Sequence, residues 1–306
     1  MYQKRRVWLS LCYAFLVFLV PWERADGSTL NKPIVAVANY PLKYFAERIA
    51  GDTVRVTFPI PSGGDPAFWN PDPNGVLAFQ SADLILLNGA TYSKWLDKVT
   101  LSRGKMVNTS RAFKDQYIAE KDSTTHSHGP EGAHAHAGLA FTTWIDFQQA
   151  IQQAEAVRRA MERLAPEHKA YFDNNFSVLK KDLLALDRRI EEIVGSRRAP
   201  PLLASHPVYD YFARRYGLNI RSMPWETGEL PSAEQWAELE TILNDHPTKW
   251  MIWEGDPHPE AVARLRSLGV GSLVFDPAGN LPDEGDFLSI MRRNIENIGV
   301  AFQASH

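Results

Sequence analysis

Residues 171–194, YFDNNFSVLKKDLLALDRRIEEIV, carry apolar side chains at spacings of three and four along one uninterrupted stretch. This spacing places the apolar side chains on one face of an α-helix, which is about 36 Å long at 1.5 Å per residue. Gly195 and Pro200–Pro201 follow this stretch and are typical of a helix end. A helix of this length can run the height of a two-part protein, so the segments on its two sides decide the fold.

The chain before this helix alternates short apolar runs with helical patterns. The predicted strands are 33–40, 54–60, 82–88 and 105–108, and the predicted helices are 42–50 and 75–81. Strands this apolar are typical of a mostly parallel sheet that is covered by helices on both faces.

The chain after the helix repeats the same alternation. The predicted strands are 201–205, 218–223, 250–254 and 272–276, and the predicted helices are 208–216, 232–243, 259–268 and a last one from 286. Ser232 and Gln235 have the spacing of a capping box at the start of one of these helices.

The predicted fold class is therefore α/β, with two similar lobes joined by one long rigid helix at 171–194. Each lobe is expected to hold a mostly parallel sheet with flanking helices, and a ligand cleft is expected between the lobes. The predicted division is a signal peptide at 1–27, an N-terminal lobe at 28–142, a helical segment at 143–198 and a C-terminal lobe at 199–306.

The first residues have the layout of a secretory signal. Lys4, Arg5 and Arg6 precede an apolar run from Val7 to Val20, and this run is shorter than the about 20 residues that a membrane span needs. We therefore expect export to the periplasm, with membrane anchoring as the alternative if the signal is not cleaved.

Composition excludes several kinds of site and partner. The one cysteine, Cys12, lies within the predicted signal, which excludes a disulfide framework and a thiolate zinc site in the exported protein. The net charge of −3 gives no electrostatic reason to expect nucleic acid as a partner. A monomer is expected, and any metal must be bound by histidine or carboxylate.

Four of the nine histidines lie in one short segment, THSHGPEGAHAHAG at 125–138. Small residues fill the gaps between these histidines, so the segment 124–138 is predicted to be a mobile surface loop that lacks packing side chains. Imidazole is the commonest protein metal ligand, and we expect this loop to contact a metal. The candidate ligands are His126, His128, His134 and His136.

Three further candidates follow predicted strands of the C-terminal lobe. His206, Glu254 and Asp276 each stand at the carboxyl end of one strand. Ligands of open α/β sheets bind at such ends, although a single acid there is more often a helix cap or a turn residue.

In seven segments, taken in order, the chain resembles the zinc- and manganese-binding proteins that serve ABC importers, the cluster A-I solute-binding proteins. The segments are GGDPAFWNPDP, SADLILLNG, TTWIDFQQA, YFDNNFSVLKKDLLALD, ASHPVYDYFARRYGL, GELPSAEQ and VFDPAG. The resemblance implies two α/β lobes joined by a rigid helix, a metal in the cleft and delivery to a membrane permease. It also implies that His206 and Asp276 are metal ligands.

Two of the four ligands that this family usually has are replaced. Ala67 follows Asp65 and Pro66 where the family places one histidine, and Thr142 stands two residues before Trp144 where it places another. His206 and Asp276 alone cannot complete a tetrahedral zinc site.

Three ways to complete the site follow from the sequence. The loop histidines could enter the cleft, Asp65 or Glu254 could contribute oxygen, or the cleft could bind something else. We expect the first, with His134 and His136 nearest in sequence to Thr142. Deletion of 126–136 is then expected to remove most of the Zn²⁺ affinity.

The expected function is capture of a divalent metal, with zinc favoured over manganese because imidazole suits zinc and manganese prefers oxygen. Another transition metal, a metal complex or a small organic solute bound by the same fold is the first alternative. A metal-dependent enzyme is the second, with His206 and Asp276 as a general-base pair. The sequence contains no HExxH, GxSxG or GxxxxGK[ST] motif, which argues against an enzyme.

Overall fold

The computed structural model describes residues 32–119, 125–127, 133–135, 138–195 and 199–303. The predicted signal peptide at 1–27 lies outside these residues. The strands are β1 (Ile34–Val37), β2 (Arg55–Thr57), β3 (Leu84–Leu87), β4 (Met106–Asn108), β5 (Thr125–Ser127), β6 (Ala133–Ala135), β7 (Pro201–Ala204), β8 (Asn219–Ser222), β9 (Trp250–Trp253) and β10 (Gly271–Val274). The α-helices are α1 (Tyr40–Ala50), α2 (Pro73–Ser81), α3 (Phe147–Leu164), α4 (Lys169–Val194), α5 (Asp210–Tyr216), α6 (Ala233–Asp245), α7 (Pro259–Ser267) and α8 (Phe287–Gln303).

Two four-stranded parallel sheets form the centres of the two lobes, which confirms the α/β fold class. The N-terminal sheet has the order β2-β1-β3-β4, and the C-terminal sheet has the equivalent order β8-β7-β9-β10. In each sheet the first strand of the lobe is central, and the chain changes direction between the first and third strands. Such a switch point opens a crevice at the carboxyl ends of the strands.

Side-chain caps that are visible in the sequence fix where several helices begin. Asn39 accepts a hydrogen bond from the backbone N–H of Leu42 and starts α1. Ser232 and Gln235 form the expected capping box at the start of α6. At the other end of α1, Gly51 has φ +52, where a Cβ would also meet the hydroxyl of Tyr171. The cap at Asn39 also corrects one prediction, because the strand predicted over 33–40 ends at Val37 and Tyr40 is the first residue of α1.

Two element boundaries differ from the sequence prediction because of proline. The strand predicted over 54–60 ends at Thr57, since Pro59 cannot donate a ladder hydrogen bond. The helix predicted from Gly75 begins earlier, at Pro73, because proline suits the first helical turn and Asp72 accepts from the N–H of Gly75. The loop before α2 is therefore shorter than its proline content indicated.

The long helix α4 spans Lys169–Val194 and buries the predicted apolar stripe. It packs against α1, α3 and α8. On the N-terminal side, Asp182 accepts from Arg48 of α1 at 2.7 Å, and Asn175 donates to the carbonyl of Ile49 at 3.1 Å. On the other side, Asp187 binds Arg215 of α5 at 2.7 Å. One rod thus contacts helices of both lobes.

Among the residues that the structure describes, no helix combines the length and the apolar character that a membrane crossing requires. The alternative of an uncleaved membrane anchor concerns residues 1–27, which lie outside that part of the chain.

Candidate metal site

A cleft of about 1100 Å³ lies between the two lobes. One wall is formed by the loop around Asp65 and by the segment from Phe141 to Trp144. The other wall contains His206, Glu254 and Asp276 at the strand ends of the C-terminal lobe. The cleft therefore brings together four of the predicted metal ligands, Asp65, His206, Glu254 and Asp276.

Three side chains converge at the carboxyl ends of neighbouring strands in the C-terminal lobe. His206, Glu226 and Glu254 each offer one ligand atom, and these atoms all lie within 4.8 Å of one another. The Nδ1 of His206 is 3.9 Å from Oε1 of Glu226, and the two side chains are only 4% and 17% exposed. An imidazole with two carboxylates at this distance is a set of donors suited to a divalent cation.

Sheet order explains why these three residues meet. His206 follows the central strand β7, and Glu226 and Glu254 follow β8 and β9, which pair with β7 on its two sides. Asp276 follows β10, two strands away from β7, which corresponds to about 9–10 Å at the usual strand spacing. This separation alone does not exclude Asp276, since β8 and β9 are also two strands apart. Asp276 lines the same cleft but is not one of the three residues whose ligand atoms meet.

Asp276 is held in place by backbone and amide contacts. Its Oδ1 accepts from the N–H of Ala278 at 2.7 Å, and its own N–H and carbonyl bind the side chain of Asn294. Burial raises the pKa of its carboxyl above the ordinary value, with a smaller contribution from Asp256. Burial of Tyr209 raises the pKa of its hydroxyl, and the charges of Glu254 and Asp276 raise it further.

The N-terminal wall offers few donors. Ala67 is completely buried and has no ligand atom. The hydroxyl of Thr142 donates to the carbonyl of Val208 in the opposite lobe. Asp65 accepts from the N–H of Ala67 at 2.8 Å through its Oδ1. Ala67 and Thr142, where the resemblance leads us to expect histidine, thus serve packing and a contact between the lobes.

At the strand ends of the N-terminal sheet, uncharged side chains form hydrogen bonds with one another. Asn39 after β1 donates to Asn88 after β3 at 3.3 Å, and Gln153 of α3 donates to both Asn88 and Thr109 at 3.0 and 3.1 Å. Asn88 also donates to the carbonyl of Phe141 at 2.9 Å. These buried amides and hydroxyls satisfy one another, so they are poorly placed to coordinate an ion.

Most of the charged side chains that line the cleft are acidic. The lining carboxylates are Asp65, Glu254, Asp256, Asp276, Asp283 and Glu284, and among the described lining residues Arg293 alone carries a fixed positive charge. A cleft lined by one sign of charge concentrates counter-ions of the opposite sign. The arrangement therefore favours cations over anions.

Comparison with known proteins identifies the family to which the chain belongs. The family model described as "ZnuA: Zinc-uptake complex component A periplasmic" matches residues 35–301. The chain belongs to the ZnuA family.

Individual relatives of the ZnuA family are distant in sequence. The zinc-binding lipoprotein AdcA of Streptococcus pneumoniae is 27% identical over 299 residues, which cover 94% of this chain and 58% of AdcA. The high-affinity zinc uptake system protein ZnuA of Bacillus subtilis is 24% identical over 277 residues, covering 87% of this chain and 86% of that protein. The Zn(II)-bound ZnuA-like domain of S. pneumoniae AdcA has the same fold, with a TM-score of 0.75, 20% identity, and coverage of 89% and 99%. The chain thus spans little more than half of AdcA.

The described parts of the histidine-rich segment, 125–127 and 133–135, form strands and not the loop that the sequence predicts. β5 and β6 pair antiparallel, with the backbone of His126 opposite that of His134. Alternation of histidine with small residues has the period of two that suits a strand. His128 and His136 lie outside the described residues, so the proposed role of all four histidines stays a prediction.

Glu226 is the member of the group His206, Glu226 and Glu254 that sequence reasoning missed. It lies four residues beyond β8, within the loop MPWETGE, whereas His206, Glu254 and Asp276 follow their strands by one or two residues. A rule that searches for a polar residue after each of the four strands, and not only after the most apolar ones, would have found it.

Proposed function

We propose that this protein is an extracytoplasmic solute-binding protein that captures a divalent metal ion, zinc first among them, and delivers it to an ABC permease. The observation that carries the proposal is the convergence of a buried imidazole with carboxylates in an acidic cleft between two lobes. Membership of the ZnuA family and the zinc-binding names of its relatives support it.

The chemistry of the cleft favours binding over catalysis. His206 supplies a nitrogen donor, and Glu254 and Asp276 supply oxygen donors, a mixture that Zn²⁺ accepts readily. Asp65 on the opposite wall and the four loop histidines remain additional predicted ligands. Manganese and other divalent transition metals are the alternative cargo because carboxylates outnumber imidazoles around His206.

The proposed location and partners follow from the same relationship. AdcA of S. pneumoniae is a lipoprotein by name, and the family model describes a periplasmic component. We therefore place this chain outside the cytoplasmic membrane, as a periplasmic protein or one anchored through its N-terminal segment. Its partners are the metal and the permease, it acts as a monomer, and it has no enzymatic role.

Direct metal titration tests the proposal. The purified chain is stripped with a chelator and titrated with Zn²⁺, Mn²⁺, Ni²⁺ and Cu²⁺ while bound metal and the melting temperature are measured. We expect about one equivalent of Zn²⁺ bound and a stabilisation of about 2.7 kcal/mol when free Zn²⁺ is one hundred times Kd. Failure of all four metals to bind or to raise the melting temperature would refute the proposed function.

A further inference from the structure

The C-terminal lobe presents an imidazole and two carboxylates on three adjacent strand ends. We propose that the cargo metal is bound by the C-terminal lobe alone, through His206, Glu226 and Glu254. This inference rests on the proposed function, since it concerns where the metal of that function is held. It assigns Glu226 a ligand role and removes the requirement for ligands from both lobes.

The distances between these side chains suit one small cation. Ligand atoms that each lie 2.0–2.2 Å from a tetrahedral ion are about 3.4 Å from one another. The pair His206 Nδ1 and Glu226 Oε1 is at 3.9 Å, and the whole group lies within 4.8 Å. Small side-chain rotations therefore suffice, and no movement of a lobe is needed.

Charge balance also fits a divalent cation. A neutral His206 with ionised Glu226 and Glu254 carries a charge of two negatives, which one divalent ion neutralises. Burial of isolated charges is strongly unfavourable, but a neutral assembly avoids most of that penalty. The low exposure of His206 and Glu226 is consistent with a group that becomes neutral when a divalent cation binds.

The immediate neighbours of the group carry buried polar atoms that other side chains do not satisfy. Ser205 Oγ, Trp225 Nε1 and Thr227 Oγ1 flank His206 and Glu226 in sequence, are buried, and have no hydrogen-bond partner among the described residues. Buried polar groups are normally paired, and leaving one unpaired is unfavourable. Thr227 also lines the cleft. Hydroxyl oxygens here are suitable acceptors for a water that completes the coordination of a metal.

Among the described residues of the other lobe, Asp65 is the carboxylate that lines the cleft, and little else there could replace these ligands. Ala67 has no donor, and the hydroxyl of Thr142 is engaged with Val208. At the strand ends of the N-terminal sheet, Asn39 and Asn88 are hydrogen-bonded within a buried neutral network. The inferred site therefore draws its described ligands from the C-terminal lobe.

The competing explanation is that the three side chains form an ion cluster with a purely structural role. A protonated His206 between two carboxylates would hold β7, β8 and β9 together with no metal involved. Stability measurements on the metal-free chain cannot separate the two roles, because both explanations predict a change when Glu226 is altered. Metal affinity separates them, since only the ligand role requires Zn²⁺ binding to fall.

The test measures Zn²⁺ dissociation constants of the full chain by competition with a chelator. The variants Glu226→Gln and Glu254→Gln keep shape but lose charge, and Glu229→Gln and Glu260→Gln are matched controls. Glu229 is exposed in the same loop as Glu226, and Glu260 is exposed six residues after Glu254. We expect each ligand variant to lose about 100-fold or more in affinity, since loss of even an outer-shell partner costs about 10–100-fold. The controls should change the affinity by about twofold or less, as expected for partly screened charges.

Each outcome decides the matter. Wild-type affinity in Glu226→Gln would overturn the inference and leave the proposed function intact, whereas no Zn²⁺ binding by the wild-type chain would overturn both. A loss in Asp65→Asn or in a 126–136 deletion as large as in Glu226→Gln would also overturn binding by one lobe alone. If Glu226→Gln does not fold, Glu226→Asp keeps the charge, shortens the side chain, and is expected to weaken affinity by a smaller factor than Glu254→Gln does.

Discussion

Asp187, in the linking helix α4, is the acceptor of four converging hydrogen bonds. Its Oδ1 accepts from Arg215 Nε at 3.0 Å and from the hydroxyl of Tyr216 at 2.8 Å. Its Oδ2 accepts from Arg215 Nη2 at 2.7 Å and from Gln148 Nε2 at 2.6 Å. Asp187 is 2% exposed, so the acceptor at the centre of this cluster is buried where α3, α4 and α5 meet.

Replacement of Asp187 by asparagine keeps the shape of the side chain and removes its charge. The amide nitrogen of the variant is a donor and must face at least two donors, whichever way the amide is turned. Arg215 keeps its contact with Glu191 at 2.8 Å, which places the expected loss at the lower end of the range for a broken buried pair. We expect a loss of about 3 kcal/mol in the free energy of unfolding, which lowers the melting temperature by about 6–12 °C.

The pH dependence of this loss has a definite sign. Burial alone would raise the pKa of Asp187, but the hydrogen bonds from Arg215, Gln148 and Tyr216 hold it below its ordinary value. A lowered carboxyl pKa contributes stability above the unfolded pKa of about 4, and that stability is lost as pH falls through the folded pKa. The difference between wild type and variant should therefore be full at pH 7 and shrink below about pH 4.

Urea denaturation at several pH values provides the measurement. Glu192→Gln is the control on the same helix, because its pair with Arg189 is 3.3 Å long and both side chains are more than 60% exposed. It should change stability by less than about 0.5 kcal/mol. A loss in Asp187→Asn that is no larger than in this control, or one that does not decrease in acid, would refute the reasoning.

Two further substitutions test the core and the contact between the lobes. Leu183→Ala removes a completely buried side chain of α4 and should lower the free energy of unfolding by about 2–5 kcal/mol in urea, whereas Val178→Ala, at a position 46% exposed, should cost less than about 0.5 kcal/mol. Thr142→Val removes the hydroxyl that donates to Val208 and should lower stability by about 1 kcal/mol while Zn²⁺ affinity stays at the wild-type value; a large loss of affinity would instead make Thr142 a ligand.

The fold could be predicted because its elements are encoded locally. The apolar strand segments, the stripe on α4 and the caps at Ser232 and Gly51 are each visible in a few neighbouring residues. One error fell at Tyr40, which begins α1 and does not end a strand. The others fell at Pro59 and Pro73, where one residue type either ends a strand or begins a helix. Sequence alone does not decide between these two effects without the neighbouring cap, which Asp72 supplies here.

The candidate site was harder to predict because it depends on which strands are neighbours. His206, Glu254 and Asp276 could be named as strand-end residues, but the sequence does not give the order β8-β7-β9-β10. That order makes Glu254 a close neighbour of His206 and separates Asp276 by a further strand. Glu226 lay hidden because β8 is a partly exposed edge strand followed by an irregular loop.

The two lobes place equivalent residues in the same way and differ in what those residues are. Asn39 and His206 each stand two residues after the first strand of their lobe, and Asn88 and Glu254 each stand one residue after the third. Because the strand orders are equivalent, each pair meets across its switch point, as the 3.3 Å hydrogen bond between Asn39 and Asn88 illustrates.

The strand ends of the two sheets differ in the chemistry of their side chains. Neutral amides satisfy each other and stabilise their lobe unaided. An imidazole beside carboxylates needs a proton or a cation to offset the repulsion of the two negative charges. The same topology thus yields a closed hydrogen-bond network in one lobe and, in the other, an edge whose stability depends on what it binds.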